Sequence, residues 1–416
     1  MMKKLILFLV LATSLHALVA QTAPKTYEYK NGSWYNGVGF TNGTWYVVNN
    51  LLTKKAPSKV DSVIDLQGRW VVPPQGDAFS SCVADNSNAS STLKLYMEEG
   101  VFYLQVLGNT QEGRAAVQGQ VNKATAPDVV FGNGAITCSL GYPFLQYEGP
   151  AQGIRNPTQW GQKYDQLKTS HKMLGNGYWF IDSKESFNAN WDKIKAQKPG
   201  VITIYLLDAQ NTGGKEGKGL NQEVAKLVIK KAHKADLRVF AFVETPDDVR
   251  LGFKLGVDGF ANLPGHNWDG TGDPKKFELS DDDLKKLAKK KTPVATLFSH
   301  AQAFGQVKAV SDFHAKTLKR LLDNDVDLVL GSDDQQRTNR AELNYWFNLG
   351  TLDYGRLLKV VCENTPRAIF PDRKIGKIED GFEASFLVLL DTPMDNILKL
   401  RAISFKVKNG VVLKGR

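Results

Sequence analysis

Between Trp70 and Asp333 the sequence returns eight times to a short apolar run of strand-forming residues, with amphipathic or polar stretches in the gaps. The runs are WVVPP, VFYLQVLG, VVFGNGAITC, VITIYLL, RVFAFVE, VDGFANL, PVATLFS and VDLVLGSD, starting at Trp70, Val101, Val129, Val201, Arg238, Val257, Pro293 and Val326. Strands alternating with helical segments predict a parallel sheet. Eight of them predict an α/β fold with a (β/α)8, TIM-like barrel over residues 70–373, whose polar strand ends face one rim.

The flanks read differently. From Tyr27 to Leu66 aromatic and polar residues alternate around Asn31-Gly32 and Asn42-Gly43, a strong hairpin signal. From Lys374 the chain returns to period-two alternation through SFLVLL and AISFKVKNGVVL. Two helices are expected before that tail, in RAELNYWFNLG and in LLKVVCENTPRAIF. Another is expected from Ser280, where SDDDLKKLAKKK places a cap, acids in the first turn and bases in the last.

The first residues, MMKKLILFLVLATSLHALVA, carry two lysines, an apolar run of about eleven residues and Ala20 before Gln21, the pattern of a secretory signal over 1–20. The run falls short of the roughly twenty apolar residues of a membrane span. An exported, periplasmic or secreted, protein without a membrane anchor is the expectation. Removing residues 1–20 takes away Lys3 and Lys4 and no acid, so the formal charge of +10 becomes +8. Lysines interleaved with acids are the mark of solvated helix faces, and no nucleic-acid partner is expected. Cys82, Cys138 and Cys362 show no C-x-x-C spacing, which excludes a zinc knuckle and leaves any disulfide pairing open. The loop AQNTGGKEGKGLN, after VITIYLL, holds four glycines without a phosphate-binding G-x-x-x-x-G-K-[ST] pattern, and reads as a rim loop.

The segment GRWVVPPQGDAFSSC, Gly68 to Cys82, resembles the first barrel strand of the amidohydrolase superfamily, especially its imidazolonepropionase-like and prolidase-like members, where the pattern is V-x-P-G-x-x-D-x-H-x-H. The tail IGKIEDGFEASFLVLL is similar to that family's I-G-x-I-x-x-G-x-x-A-D motif, with Ser385 where the aspartate usually stands. The resemblance runs from about Thr26 to Val412. It implies that residues 21–69 and 374–416 join in one composite, β-sandwich-like module.

It also implies a metal site that this chain does not spell. Family members hold two divalent ions with a first-strand His-x-His, a carboxylated lysine on the fourth strand, histidines ending the fifth and sixth, and an aspartate ending the eighth. Two close cations need a bridging anion, several imidazoles and carboxylate oxygen. By the same alignment Phe79 and Ser81 take the first two positions, Thr203 the lysine's, Phe242 and Asn262 the two histidines', and Asp333 alone is kept. Ser81, Thr203 and Asn262 are neutral donors expected to satisfy Asp333 without metal. Tyr205, and His266 and His300 after the sixth and seventh strands, complete the expected rim, while His171, His233 and His314 are expected at the surface.

Three functions are consistent with these residues. The first is a pseudoenzyme that keeps the pocket for a small-molecule ligand and needs no cofactor. The second is a C–N bond hydrolase with a remodelled centre, Asp333 acting as general base beside His300 or His266, or with a single divalent ion such as zinc. The third is a structural subunit that pairs with itself or with an active paralogue.

Overall fold

The computed structural model describes residues 25–84, 89–207, 219–350 and 353–413. The leader and most of the glycine-rich loop lie outside the described residues. The N-terminal and C-terminal described strands meet in one eight-stranded sheet. Its order is Val411–Leu413, Ile403–Lys408, Phe386–Leu389, Trp70–Val72, Tyr27–Tyr35, Phe40–Val48 and Leu51–Thr53, with Ser62–Asp65 paired to Tyr27–Tyr35. Phe386 from the tail packs edge-on against Tyr29 at 5.0 Å and Trp34 at 5.5 Å, so the aromatic alternation of the N-terminal strands is filled from the C-terminal one.

The hairpin turns elsewhere than expected. Asn42-Gly43 lies inside a strand, Gly43 paired with Gly32, and Asn31-Gly32 is a bulge with Asn31 at φ +56°. A Cβ on Gly32 would come within 2.5 Å of Leu66 and 2.7 Å of Trp34 Nε1, so glycine is required there for close packing. The reversal is at Asn36–Gly39, where Gly37 takes φ +95° and the Asn36 carboxamide accepts from the backbone of Val38 and Gly39.

The parallel strands form two sheets. One has seven strands in the order Tyr178–Phe180, Ala135–Thr137, Ile202–Tyr205, Val239–Phe242, Gly259–Phe260, Val294–Ala295 and Leu328–Val329. The other has Gln75–Asp77, Val101–Val106 and Asp128–Phe131. The protein is thus a mixed α/β fold built on parallel sheets, and the strand ladder does not close into one cylinder.

Two expected runs change, and one strand is added. Trp70–Val72 pairs with Tyr27–Tyr35 and Phe386–Leu389 in the terminal sheet, and the run enters the parallel region only at Gln75, after Pro73 and Pro74 interrupt the backbone donors. VVFGNGAITC divides between the two sheets at Gly132–Gly134, where a Cβ on Gly132 would stand 3.1 Å from the Leu107 and Val106 carbonyls. Tyr178–Phe180 is a strand the apolar-run count did not include.

Helices between the later strands follow their caps. Asp281–Lys290 starts at Ser280, whose hydroxyl and Asp283 form a reciprocal capping box, and Arg250 pairs with Asp283 at 2.9 Å from the preceding helix. Lys408, almost fully buried, ties the terminal sheet to the parallel region by donating to Asp128 and to the carbonyls of Lys123 and Ala126 at 2.6–2.7 Å.

Candidate functional site

The C-terminal ends of the parallel strands surround a pocket of about 430 Å³. Asp333 follows the strand Leu328–Val329 and is held by its backbone: its amide and that of Ser332 both donate to the Phe79 carbonyl, at 2.7 and 2.9 Å. Below it lies Asp77, fully buried, which accepts from the Ser332 hydroxyl at 2.7 Å, Tyr96 Oη at 2.9 Å and the amides of Ser332 and Phe79. Asp77 takes the aspartate's place in the first-strand pattern, two residues before Phe79. Its task here is to fix the loop that presents Asp333.

The Asp333 carboxylate receives one hydrogen bond from the described residues, Ser81 Oγ to Oδ1 at 2.6 Å. Burial pushes its pKa above the carboxylate range, against the opposing pull of His300 and the Ser81 bond. His300 Nε2 stands 3.9 Å from Oδ2 and 3.3 Å from the Ser332 carbonyl. A carbonyl only accepts, so that ring nitrogen carries the proton.

His300 is aimed by a second buried acid. Glu342 accepts from the amides of Phe298 and Ser299 at 2.9 and 2.7 Å, from Trp346 Nε1 at 2.8 Å and from the Thr296 hydroxyl, clamping the turn that starts at Leu297 with φ +53°. Asp333 at φ +39° and Leu140 at φ +59° also sit in the left-handed region at the pocket. Non-glycine residues so placed cost on the order of 1–3 kcal/mol each and persist where surroundings over-determine them.

The other expected residues divide. Phe242, Asn262, His266, His300 and Asp333 line the pocket. Phe79 and Tyr205 stand behind Phe242, edge-on at 5.3 Å and stacked at 4.8 Å, and Tyr142, which no sequence pattern marks, completes the aromatic group 5.1 Å from Tyr205. Thr203 and Asn262 do not reach Asp333 as donors. The Thr203 hydroxyl is spent on the Leu107 carbonyl at 2.6 Å, and the Asn262 amide pairs both ways with the Val243 backbone and approaches His266 Nδ1 at 3.0 Å. Burial and then the neighbouring His300 lower the His266 pKa to about 3, leaving a neutral imidazole.

Of the histidines expected at the surface, His171 and His233 are exposed, and His233 meets Asp258 at 2.8 Å. His314 is a correction. It is fully buried on the inner face of its helix, stacked on Phe298 at 4.1 Å, donating from Nε2 to the Gly265 carbonyl and accepting at Nδ1 from Tyr345 Oη. A helix with polar neighbours still has an inner face, and two ring nitrogens with two partners make a histidine admissible there. All three cysteines are free, with Cys82 and Cys362 buried.

The donor set does not fit a two-ion centre. Two of the six aligned positions are packed phenyl rings, the hydroxyl of Thr203 and the amide of Asn262 are committed to backbone, and no group of three ligating side chains placed to hold a metal occurs among the described residues.

No family model matches the sequence. No curated protein matches it either. Solved structures do. The A. niger ochratoxinase superposes with a TM-score of 0.72 at 16% identity, covering 94% of this chain and 96% of that one. A crystallised amidohydrolase gives 0.70 at 15%, and a Xaa-Pro dipeptidase with methionine in its active site gives 0.69 at 13%, each covering 94% of this chain and 100% of the other. Identities this low speak to backbone architecture alone, and on that ground the chain has the amidohydrolase fold.

Proposed function

We propose that this protein binds a small molecule in the strand-end pocket without a metal centre, a pseudoenzyme with respect to metal-dependent hydrolysis. The observation that carries the reading is the filling of the ligand positions: Phe79 and Phe242 pack on each other, and Asp333 takes its hydrogen bond from Ser81. A divalent ion placed there would meet ring edges and one carboxylate, too few donors for its charge. In the same reading the two parallel sheets are arcs of a (β/α)8 barrel. Bonds at both seams support this, from Ala78 N to the Leu330 carbonyl and from Gly200 N to the Phe131 carbonyl, at 2.7 and 2.8 Å.

Elemental analysis of the mature protein, purified without chelators, beside a thermal-shift screen of small amides, lactams and amines tests it. The expected result is substoichiometric metal together with at least one stabilising ligand. One tightly bound divalent ion per chain overturns it.

A second reading has its own support, since a buried carboxylate of raised pKa 3.9 Å from an imidazole is suited to proton transfer. There Asp333 is the general base of a metal-free hydrolase. Unchanged turnover of any substrate found, after Asp333→Asn, eliminates that role.

A further inference from the structure

The pocket's chemistry narrows its ligand, an inference that rests on the reading of this pocket as a small-molecule site. Asp333 Oδ2 accepts no hydrogen bond from a described residue, and among the described lining residues no lysine or arginine faces it. His266 is neutral, and its Nδ1 lies 3.0 Å from both the Leu263 carbonyl and the Asn262 amide nitrogen, only one of which it can bond at a time. Aromatic rings share the cavity with this carboxylate. Tyr142 and Phe242 line the cavity with centroids 6.2 Å apart. A buried carboxylate lacking a full set of donors is costly to keep ionised, and it is relieved by a cation brought by the ligand. Aromatic faces beside it attract the same charge.

We propose that the pocket selects small organic amines, seating the ammonium group between Asp333 Oδ2 and the rings of Tyr142 and Phe242, with an apolar or aromatic body along Phe144 and Leu207. A carboxylate or phosphate ligand is disfavoured, because it would face Asp333 with no lysine or arginine in the described lining and only the His300 imidazole, already beside that carboxylate at 3.9 Å, to offset the repulsion. At about 430 Å³ the cavity is near the small end for a ligand pocket, which suits a single ring with a short chain.

The test is calorimetric titration of the whole mature protein with three probes of one shape, 2-phenylethylamine, 2-phenylethanol and phenylacetate. The amine binds most tightly, by about tenfold or more over the alcohol, as one desolvated charge-assisted contact implies. Asp333→Asn removes that preference, so that the amine no longer binds more tightly than the alcohol. Should that variant not fold, Tyr142→Leu serves, weakening the amine more than the alcohol. Equal binding of amine and alcohol, or tighter binding of phenylacetate, overturns the amine proposal but leaves a metal-free binding pocket standing. Failure of all three probes overturns the proposal as well, and a stoichiometric metal ion in the same preparation overturns the pocket reading beneath it.

Discussion

Replacing Asp77 by asparagine separates the electrostatics of the strand-end loop from its shape. Asp77 is fully buried, takes four hydrogen bonds, and has its pKa pushed from 3.8 up to about 7, burial outweighing the bonds from Ser332, Tyr96 and Phe79. The folded protein therefore keeps a proton that the unfolded chain releases near pH 3.8. Its contribution to stability is complete below that pH and is lost as pH rises through about 7. A gap of about three pH units, at about 1.4 kcal/mol each, gives about 4 kcal/mol. Asparagine has nothing to titrate. The stability of Asp77→Asn minus that of the parent should therefore rise by about 4 kcal/mol between about pH 4 and about pH 8, whatever fixed cost the amide adds. Urea unfolding of both proteins at several pH values measures it. The difference is needed because His266 and His314, with folded pKa values of about 3 and about 4, lose stability in the opposite direction as pH falls below 6.5, and together outweigh the single Asp77 in the parent's profile over that range. Parallel curves, agreeing within about 1 kcal/mol across that range, would refute a buried, proton-holding Asp77.

Other outcomes follow from single contacts. His314→Phe should flatten the acid limb of the stability profile between pH 6.5 and about 4, by up to about 3 kcal/mol, read by thermal or urea unfolding at stepped pH. Thr203→Val should cost about 1–3 kcal/mol by orphaning the Leu107 carbonyl and leave ligand affinity unchanged; weakened binding would mean the hydroxyl serves the pocket. Lys408→Ala should destabilise by about 3 kcal/mol, since it strips Asp128 of one partner and leaves the Ala126 carbonyl unpaired, the Lys123 carbonyl keeping its bond from the Ala126 amide, and increased protease sensitivity of the tail would report it. Glu342→Ala, removing the acceptor of four donors, should weaken pocket binding through His300 as well as stability, which calorimetry and unfolding distinguish.

Much of the pocket was legible without coordinates because the motif spacing carries strand phase. The motif spacing puts Phe79 and Ser81 just beyond the strand Gln75–Asp77, and the intact G-S-D after an apolar run marks another strand end, so Asp333 was legible with Ser81, Thr203 and Asn262 as candidate donors, of which the structure pairs only Ser81 with it. Asp77 and Glu342 were not found. Both act through hydrogen bonds to backbone amides of distant segments, and a backbone amide has no signature in sequence. Tyr142 was missed for a related reason: it lies in a loop whose path no periodicity describes.

The amino-acid sequence by itself determined the alternation of buried strands and amphipathic helices, the return of the tail to strand, and the presence of Phe79, Thr203, Phe242 and Asn262 rather than histidine or lysine at their positions, because these depend on residue type and spacing. Tertiary structure alone decided the rest. It sent Trp70–Val72 to the terminal sheet, moved the hairpin to Asn36–Gly39, turned His314 inward, and directed Thr203 and Asn262 to backbone partners instead of Asp333. The physical reason is common to all four. Each side chain or strand had several possible partners, and only the packed chain sets which of them lies within hydrogen-bonding distance.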